Sequence, residues 1–570
     1  MRLQPIFNLI EICAKHGLKR AIISPGSRNA PLTMALARNP KIQCRSISDE
    51  RSAAFIAIGI TQQIKKPTIL CCTSGSASLN YAPAVAEAFF QQIPLIILTA
   101  DRPPEWIDQF DGQTIRQNGI YGEHVKNSYS IPVDLTNEAA QVHASRIMNE
   151  AINTSMEFPQ GPVHINVPFR EPFYPESNTV EETPDTAIKT LITSKTLHYS
   201  VDWDAIKRGW KRYNRKVILG GQNAKDKELS NVLSSLFKEH KIPVLGDVIS
   251  NLHDIDEVIA HADLFLGNGK KGLYESLKPD LLITFGKSTI SKNLKLMLRN
   301  NKAKEHWHIQ SHGDAADTFN SLTKVIRTTP RDFFQKLIED PPLKDFSTQK
   351  QENYCNIWLI EERKVRRLIP NYFKTNPWSE IGIVQNVLSK INGAANIHLA
   401  NSMPVRYANL VGLQSPELEV FANRGTSGID GCTSTTVGAC LETDRLNLLI
   451  TGDVAFFYDR NAFWHNYDLK NLRVLLINNA GGGIFRMING PSQLPELDEF
   501  FETHQALSAQ ALASEFDLDY FNCDKPSKLN NYIDQFLEQD GRGKIFEFTT
   551  TSEKAVIALN EFKDEFRRTV

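Results

Sequence analysis

An apolar run ends in Gly452-Asp453-Val454, and the next one ends in Ile477-Asn478-Asn479-Ala480-Gly481-Gly482-Gly483, which places Asp453 and Asn479 twenty-six positions apart. Each run has the length of a buried β-strand, so both residues are predicted at the carboxyl ends of strands. A carboxylate and a carboxamide offer oxygen ligands that Mg²⁺ accepts, and the glycines let the backbone approach a phosphate closely. Either half alone is typical of an ordinary turn. Together they indicate a site for a divalent cation and a diphosphate.

Length and composition restrict the class of protein. The chain has 570 residues, 41% of them hydrophobic, which predicts three or four domains with large cores. Sixty-four basic residues stand against sixty-five acidic ones, so nucleic acid and membrane surfaces are not expected partners, and an anionic ligand needs local cations. The eight cysteines form no CxxC pair. Several of them lie inside apolar runs, where a reduced thiol behaves as a small hydrophobic group, so we expect a reducing, cytoplasmic compartment. No run of about 18 apolar residues occurs, so we expect no membrane span.

Short β-branched runs alternate with helical patterns in three blocks, residues 1–185, 200–345 and 352–570. This alternation predicts an α/β protein with three doubly wound, mainly parallel-sheet domains. The predicted strands are 20–24, 42–47, 68–72, 95–99 and 163–167 in the first block, 216–219, 263–266, 281–285 and 307–310 in the second, and 397–400, 420–422, 447–451, 474–477 and 545–548 in the third. Residues 52–64 are apolar nearly all round, which predicts a buried helix. We expect residues 177–200 to form a linker and residues 331–350 to cross the surface.

Charged and polar side chains follow several predicted strands, and ligands bind at these ends of parallel sheets. They are Ser27, Arg28, Glu50 and Arg102 in the first block, and Ser402, Arg406, Arg424 and Ser427 in the third, where the apolar Ile429 follows in the same segment. Each has an ordinary alternative. Glu50 opens a helix, where the macrodipole favours a carboxylate, and arginines commonly form surface ion pairs. Ile429, within a glycine-rich segment, is either a core residue or a ligand contact.

One further motif points to another class of protein. Residues 267–272, Gly-Asn-Gly-Lys-Lys-Gly, follow a predicted strand and match the GxGxxG dinucleotide fingerprint. That fingerprint also requires an acidic residue about 20 positions later, and residues 288–293 contain none. A nucleotide-dependent oxidoreductase or a non-catalytic binding protein is therefore the less favoured alternative.

Six stretches carry a specific family resemblance. They are Ser24-Pro-Gly-Ser-Arg28, Asp49-Glu-Arg-Ser-Ala-Ala-Phe55, Ala100-Asp-Arg-Pro-Pro104, Gly161-Pro-Val-His-Ile-Asn-Val-Pro-Phe-Arg-Glu171, Asn423-Arg-Gly-Thr-Ser-Gly-Ile-Asp-Gly431 and Asn478-Asn-Ala-Gly-Gly-Gly-Ile-Phe485. Over essentially the whole chain they resemble the family of 2-succinyl-5-enolpyruvyl-6-hydroxy-3-cyclohexene-1-carboxylate (SEPHCHC) synthases, thiamine-diphosphate enzymes of menaquinone biosynthesis. The resemblance implies a pyrimidine-binding domain (1–185), a central domain (200–345) and a diphosphate-binding domain (352–570).

The resemblance also implies roles for individual residues toward the cofactor. Glu50 matches the carboxylate that activates thiamine diphosphate, and Ile429 the residue that bends it. Mg²⁺, or Mn²⁺, would be held by Asp453, Asn479 and the Gly481 carbonyl. Gln113 and Ser427 match further cofactor contacts.

The substrates that the resemblance implies are 2-oxoglutarate and isochorismate, which yield SEPHCHC and CO₂. Arg28, Arg102, Lys292, Arg406 and Arg424 match residues that bind substrate carboxylates, and Ser27, Arg28, Gln113 and Ser402 match residues near the reacting atoms. The family implies a homodimer or homotetramer with cofactor sites between subunits. Another thiamine-diphosphate-dependent 2-oxo-acid decarboxylase or carboligase is the alternative within the same fold.

The chain departs from the family pattern at three positions. Gly112 precedes Gln113 where many members have asparagine, and Asn293 follows Lys292 where some have arginine. One substrate contact is therefore expected to be weaker or replaced. Arg486, unexpected at its position, is a candidate for the replacing cation.

Overall fold

The computed structural model describes residues 3–171, 173–174, 189–192, 201–339, 349–488 and 490–569. The chain divides into two compact units. The first contains Met1–Thr196, Asn423–Asp444 and Ala455–Leu472, and the second contains Leu197–Ala422, Arg445–Val454 and Arg473–Val570. The three predicted domain ranges do not coincide with these units and stay a prediction. Most of the predicted linker, 177–200, lies outside the described residues.

The first unit begins with a six-stranded parallel sheet. Its strands are β1 (Arg20–Ile23), β2 (Gln43–Ser46), β3 (Thr68–Cys72), β4 (Leu95–Asp101), β5 (Ser128–Ser130) and β6 (Val163–Pro168). Its helices are α1 (Gln4–Lys15), α2 (Ala30–Ala37), α3 (Glu50–Ile64), α4 (Ser76–Asn80), α5 (Ala82–Gln91) and α6 (Glu138–Met156). The strand order is β2-β1-β3-β4-β6-β5. Strands β3, β4 and β6 are buried along their whole length, as expected where helices cover both faces of a sheet.

A five-stranded parallel sheet opens the second unit. Its strands are β7 (Lys216–Gly220), β8 (Val244–Gly246), β9 (Leu281–Phe285), β10 (Glu305–Ile309) and β11 (Lys324–Ile326), in the order β11-β10-β9-β7-β8. The helices are α7 (Trp203–Arg212), α8 (Lys227–His240), α9 (Ala262–Phe265), α10 (Lys271–Leu277), α11 (Lys292–Asn300) and α12 (Pro330–Glu339).

A third sheet, mainly parallel, belongs to the same unit. Its strands are β12 (Ala395–Leu399), β13 (Glu419–Phe421), β14 (Leu446–Gly452), β15 (Leu472–Asn478), β16 (Asp519–Cys523) and β17 (Lys544–Thr549). The remaining helices are α13 (Gln349–Thr375), α14 (Glu380–Ser389), α15 (Met403–Val411), α16 (Cys432–Cys440), α17 (Asp453–Tyr458), α18 (Gln510–Glu515), α19 (Leu529–Leu537) and α20 (Ser552–Thr569). The order β13-β12-β14-β15-β17-β16 repeats that of the first sheet when each set is counted from its own first strand. The sequence carries no visible trace of this repeat.

The predicted α/β class with three mainly parallel sheets is confirmed. Residues 263–266 were predicted as a strand, which is wrong: they lie in α9 and in the 3₁₀ turn Leu266–Asn268 that follows it. Four strands were not predicted, namely β5, β8, β11 and β16, and all four lie at sheet edges. Three of these four are only three residues long, and short edge strands lack the apolar runs on which the prediction depends.

Two further segments test the sequence reading. The predicted buried helix at 52–64 is confirmed, because α3 is buried from Ser52 through Thr61. Residues 331–350 were predicted to cross the surface. Residues up to Glu339 belong to the amphipathic helix α12, which buries Phe333, Phe334 and Leu337 and exposes its charged face. Residues 340–348 lie outside the described residues, so the surface crossing stays a prediction.

Within the first unit, α3 and α16 cross with their backbones in close approach. A Cβ at Gly59 would lie 1.9 Å from the Thr435 carbonyl oxygen, and a Cβ at Gly438 would lie 2.1 Å from the Ile56 carbonyl oxygen. Only glycine permits this packing at either position. The crossing matters for function because α3 begins at Glu50 and α16 follows directly on the segment that contains Ser427 and Ile429.

Candidate active site

Asp453 and Asn479 follow neighbouring strands of the third sheet, as predicted. Asp453 comes directly after β14 and Asn479 directly after β15, and both side chains are buried. Asp453 Oδ1 accepts a hydrogen bond from the Val454 N–H at 2.8 Å. The other oxygen, Asp453 Oδ2, and the amide oxygen, Asn479 Oδ1, are buried and find no hydrogen-bond partner among the described residues.

These two oxygen atoms need a positive partner. Burial raises the pKa of Asp453 to about 7, although the nearby main-chain N–H groups of Val454 and Gly481 favour the charged carboxylate. A buried acceptor without a donor costs roughly 1–3 kcal/mol, and a divalent cation with oxygen ligands would satisfy both atoms. The residues present therefore fit a Mg²⁺ or Mn²⁺ ion. A Cβ at Gly481 would lie 2.6 Å from the Glu502 carbonyl oxygen, so only glycine fits beside the Asp453 carboxylate.

A residue that the sequence reading missed, Glu380, orients Asn479. Glu380 is the first residue of α14 and is buried. Its Oε1 accepts a hydrogen bond from Asn479 Nδ2 at 2.9 Å, and its Oε2 accepts one from the Tyr407 hydroxyl at 2.6 Å. Burial raises the pKa of Glu380, and these two donors oppose the rise. The only signal in the sequence was Ser379-Glu380 at a helix start, which is equally typical of ordinary capping.

Glu50, in the first unit, is held at the start of α3 by its neighbours. Asp49 caps the helix by accepting from the Ser52 N–H, and its other oxygen accepts from Asn461 Nδ2 at 2.7 Å. Arg51 donates to the Tyr458 carbonyl at 2.8 Å. The Glu50 side chain itself is half-buried, and burial, followed by the charge of Asp49, raises its pKa. The structure therefore places a carboxyl group with an enhanced tendency to hold a proton at this strand end.

The glycine-rich segment 424–431 is fastened to α5 by a second buried glutamate that the sequence reading missed. Glu87 accepts hydrogen bonds from the N–H groups of Gly425 and Thr426 at 2.8 and 2.7 Å. Ser427 next to them is exposed, and Ile429 is half-buried. Partial exposure of Ile429 favours a ligand contact over a core position.

Three of the predicted site residues have strained backbones. Gln113, Ser402 and Ser427 have φ values of 56°, 73° and 63°, in the left-handed region that non-glycine residues rarely adopt. Such strain is found preferentially at functional sites, where the surrounding structure maintains it.

Two of the predicted substrate-binding arginines lie together in the first unit. Buried Arg28 donates to the Phe169 carbonyl at 2.9 Å and lies 3.7 Å from the exposed Glu171 carboxylate. Arg102 lies 3.1 Å from Asp111 and 4.0 Å from the same Glu171. Burial, and then the charge of Arg102, lower the pKa of Arg28, which reflects two cations held close together.

A second cationic cluster lies in the second unit. Its half-buried member is Lys563, a residue that the sequence did not indicate. Burial lowers the pKa of Lys563, and the positive charges of Arg567, Lys292 and Arg406 lower it further, while the negative charge of Asp263 raises it. Lys292 and Arg406 are both exposed. The Arg406 guanidinium donates to the Ser402 carbonyl, so this arginine is tied to the strained serine. Arg424, in the first unit, is half-buried, and Ser27, also there, is exposed.

Comparisons with known proteins identify the family. The model described as "Thiamine pyrophosphate enzyme, N-terminal TPP binding domain" matches residues 7–124, and "Middle domain of thiamine pyrophosphate" matches residues 189–396. A Cytophaga hutchinsonii protein named 2-succinyl-5-enolpyruvyl-6-hydroxy-3-cyclohexene-1-carboxylate synthase is 44% identical over 564 residues, 98% of each chain. Proteins of the same name from Flavobacterium johnsoniae and Porphyromonas gingivalis are 41% and 37% identical, over 98% and 95% of this chain and 98% and 93% of theirs. The chain belongs to the SEPHCHC synthase family.

For this SEPHCHC synthase family member, the enzyme class and thiamine diphosphate as the cofactor are confirmed. The alternative dinucleotide site at 267–272 lacks its structural context, because α9 and not a strand precedes these glycines. Among the described residues, no helix combines the length and the apolar character that crossing a membrane requires.

The structure shows the contacts that the three departing residues make. The Gly112 carbonyl accepts a hydrogen bond from Arg102 at 2.8 Å, a contact that needs no side chain. Asn293 donates its side-chain amide to the Asp263 carbonyl at 2.8 Å, so it ties α11 to α9. Arg486 does not serve as the replacing cation that we considered. Its guanidinium is matched by Glu502 and Asp498, both at 2.7 Å, and by Glu553 at 3.2 Å.

Proposed function

We propose that this protein is a SEPHCHC synthase of menaquinone biosynthesis, which decarboxylates 2-oxoglutarate and adds the remaining four-carbon unit to isochorismate, giving SEPHCHC and CO₂. Identity of 44% over 98% of both chains to a relative of that name carries the proposal. The same three-sheet build would also suit another thiamine-diphosphate decarboxylase or carboligase. Such an enzyme would not need the cations at the strand ends.

The anionic end of the cofactor would be held through a metal ion. Asp453 Oδ2 and Asn479 Oδ1, two buried acceptors without donors among the described residues, would bind Mg²⁺ or Mn²⁺ together with the Gly481 carbonyl. Oxygen ligands of this kind suit either ion. Thiamine diphosphate, once bound, supplies a carbon nucleophile that adds to a 2-oxo acid and accepts the electrons released with CO₂.

Glu50 would activate the cofactor. Its raised pKa allows the carboxyl group to hold a proton and to hydrogen-bond a ring nitrogen of the cofactor. The anchoring of Asp49 and Arg51 on either side would keep this carboxyl group in place. Ile429 would contact the middle of the cofactor, and Ser427 and Gln113 would provide further polar contacts.

The cationic clusters would bind the carboxylates of the two substrates. Arg28, Arg102 and Arg424 in the first unit, and Lys292 and Arg406 in the second, would supply the charge that a chain with net charge −1 lacks overall. Ser27 and Ser402 would lie near the reacting atoms. We further propose that the enzyme is a cytoplasmic homodimer or homotetramer with cofactor sites between subunits.

Release of CO₂ from 2-oxoglutarate tests this function. With thiamine diphosphate and Mg²⁺, we expect SEPHCHC to form from 2-oxoglutarate only when isochorismate is also present. Removal of the metal with a chelator should abolish the formation of SEPHCHC. Glu50→Gln should abolish turnover and leave Mn²⁺ binding intact. Glu123→Gln, at an exposed glutamate of the same unit, is the matched control and should behave like wild type. Consumption of pyruvate in place of 2-oxoglutarate would refute the substrate assignment, and full activity of Glu50→Gln would remove Glu50 from the mechanism.

A further inference from the structure

Glu380 lies next to the proposed metal site without supplying a ligand to it. Its two carboxylate oxygens are both engaged, one by Asn479 Nδ2 at 2.9 Å and the other by the Tyr407 hydroxyl at 2.6 Å. All three side chains are buried, with exposures of 2% for Glu380, 9% for Asn479 and 0% for Tyr407. In this setting both oxygens of Glu380 have fixed partners, and water does not compete.

The hydrogen-bonding roles of these atoms determine how the Asn479 amide is turned. An ionised carboxylate only accepts hydrogen bonds, so the group of Asn479 that faces Glu380 must be the NH₂ group. Asn479 Oδ1 is then directed away from Glu380. It is this oxygen that lacks a donor, together with Asp453 Oδ2.

We infer that Glu380, held by Tyr407, is the positioning residue that presents the amide oxygen of Asn479 to the metal. The inference rests on the proposed function, because it takes Asn479 as a metal ligand. Partners of this kind, which contact a ligand and not the metal, typically change metal affinity about 10- to 100-fold when they are replaced. Without Glu380, the amide could turn its NH₂ group toward the cation, and an NH₂ group does not bind Mg²⁺.

Direct metal binding tests the inference without reference to turnover. Free Mn²⁺ is measured by electron paramagnetic resonance during titration of the full-length protein in the presence of thiamine diphosphate. Glu380→Gln should raise the Mn²⁺ dissociation constant about 10- to 100-fold, because a carboxamide accepts either orientation of Asn479. Tyr407→Phe should raise it less, since one hydrogen bond to Glu380 is lost. Glu362→Gln is the matched control: this glutamate is also 2% exposed and in the same unit, but it is paired with His261 and Arg366.

The same Glu380 substitution made in an Asn479→Asp protein distinguishes a positioning role of Glu380 from a general role in supporting the fold. In Asn479→Asp, either oxygen of the new carboxylate can bind the metal, so its orientation no longer matters. The negative charge of Glu380 then repels that of the new carboxylate. Adding Glu380→Gln to Asn479→Asp should therefore tighten Mn²⁺ binding, whereas the same change in wild type weakens it. A residue that merely supports the fold would weaken binding in both backgrounds.

Each outcome discriminates. Opposite effects of Glu380→Gln in the two backgrounds support the inference. Equal weakening in both, or wild-type affinity of both Glu380→Gln and Tyr407→Phe, overturns it while the proposed function stands. Failure of the wild-type protein to bind Mn²⁺ with thiamine diphosphate would instead overturn the proposed cofactor site. Thermal unfolding of the metal-free variants establishes that each one is folded before its Mn²⁺ affinity is compared.

Discussion

Substitution of Gly59 by alanine should separate the helices that hold the Glu50 segment. A Cβ at Gly59 would lie 1.9 Å from the Thr435 carbonyl oxygen, whereas a C···O contact needs roughly 3.3 Å. The α3 and α16 backbones must therefore move apart by roughly 1.4 Å at this point. Overpacking of this kind costs roughly 1–3 kcal/mol, and more when backbone atoms must move. The higher helix propensity of alanine offsets at most about 1 kcal/mol of this cost.

We therefore expect the free energy of local opening of the helix pair to fall by about 2 kcal/mol, which corresponds to a roughly 30-fold larger population of the open state and to proportionally faster exchange. Hydrogen–deuterium exchange of peptides from α3 and α16 measures this directly, and it avoids the assumption of two-state unfolding for a chain of two units. Gly272→Ala is the control, since this exposed helical glycine has no atom within 4 Å of a Cβ. In Gly272→Ala we expect the local stability of the helix to be unchanged or to rise by about 0.5–1 kcal/mol. Wild-type exchange in both α3 and α16 of Gly59→Ala would refute the close packing of these helices.

Two further changes test the first unit. Glu87→Gln should weaken thiamine diphosphate binding, measured by fluorescence quenching, because an amide NH₂ would face the N–H of Gly425 or Thr426 at a cost of roughly 1–3 kcal/mol; unchanged affinity would contradict the role of Glu87 in holding that segment. Burial raises the pKa of Asp459 to about 7 from 3.8, so the folded state favours its protonated form and wild type should lose stability as the pH rises through this interval, by roughly 4 kcal/mol at most. Asp459→Asn should therefore melt like wild type near about pH 4 and at a higher temperature near about pH 8, while a pH-independent difference would contradict the shift.

The sequence predicts the central strands of the sheets well and most of the strands at sheet edges poorly. Central strands such as β4 are buried on both faces, so their apolar runs are visible in the sequence. The edge strand β16 is largely half-buried, and its residues carry too little apolar pattern to be recognised. Residues 263–266 failed for the opposite reason. Their apolar run is buried in α9, and a short run of this kind does not distinguish a helix from a strand.

The candidate site shows the same division. Asp453 and Asn479 were found because each follows its own strand, so local sequence determines where it lies. Glu380 was missed because its role depends on a hydrogen bond to a residue 99 positions away. Glu87 was missed in the same way, since its partners lie 338 and 339 positions further on. Motifs at strand ends therefore reveal candidate ligand contacts, whereas the groups that orient these side chains become visible only in the structure.

The arrangement around Arg28 and Arg102 suits the proposed binding of anionic substrates by a chain of nearly zero net charge. Both arginines lie near Glu171, at 3.7 and 4.0 Å, and the Glu171 side chain is 70% exposed. An ion pair at such distances whose carboxylate is mostly exposed to solvent contributes about 0–1 kcal/mol, so a substrate carboxylate could replace Glu171 at small cost. Arg28 would not move in this exchange, because its hydrogen bond to the Phe169 carbonyl and its stacking on Phe173 are independent of Glu171. Arg28 is thus paired with a weakly held carboxylate and positioned by contacts that a substrate need not disturb, whereas Arg102 keeps its closer ion pair with Asp111 at 3.1 Å.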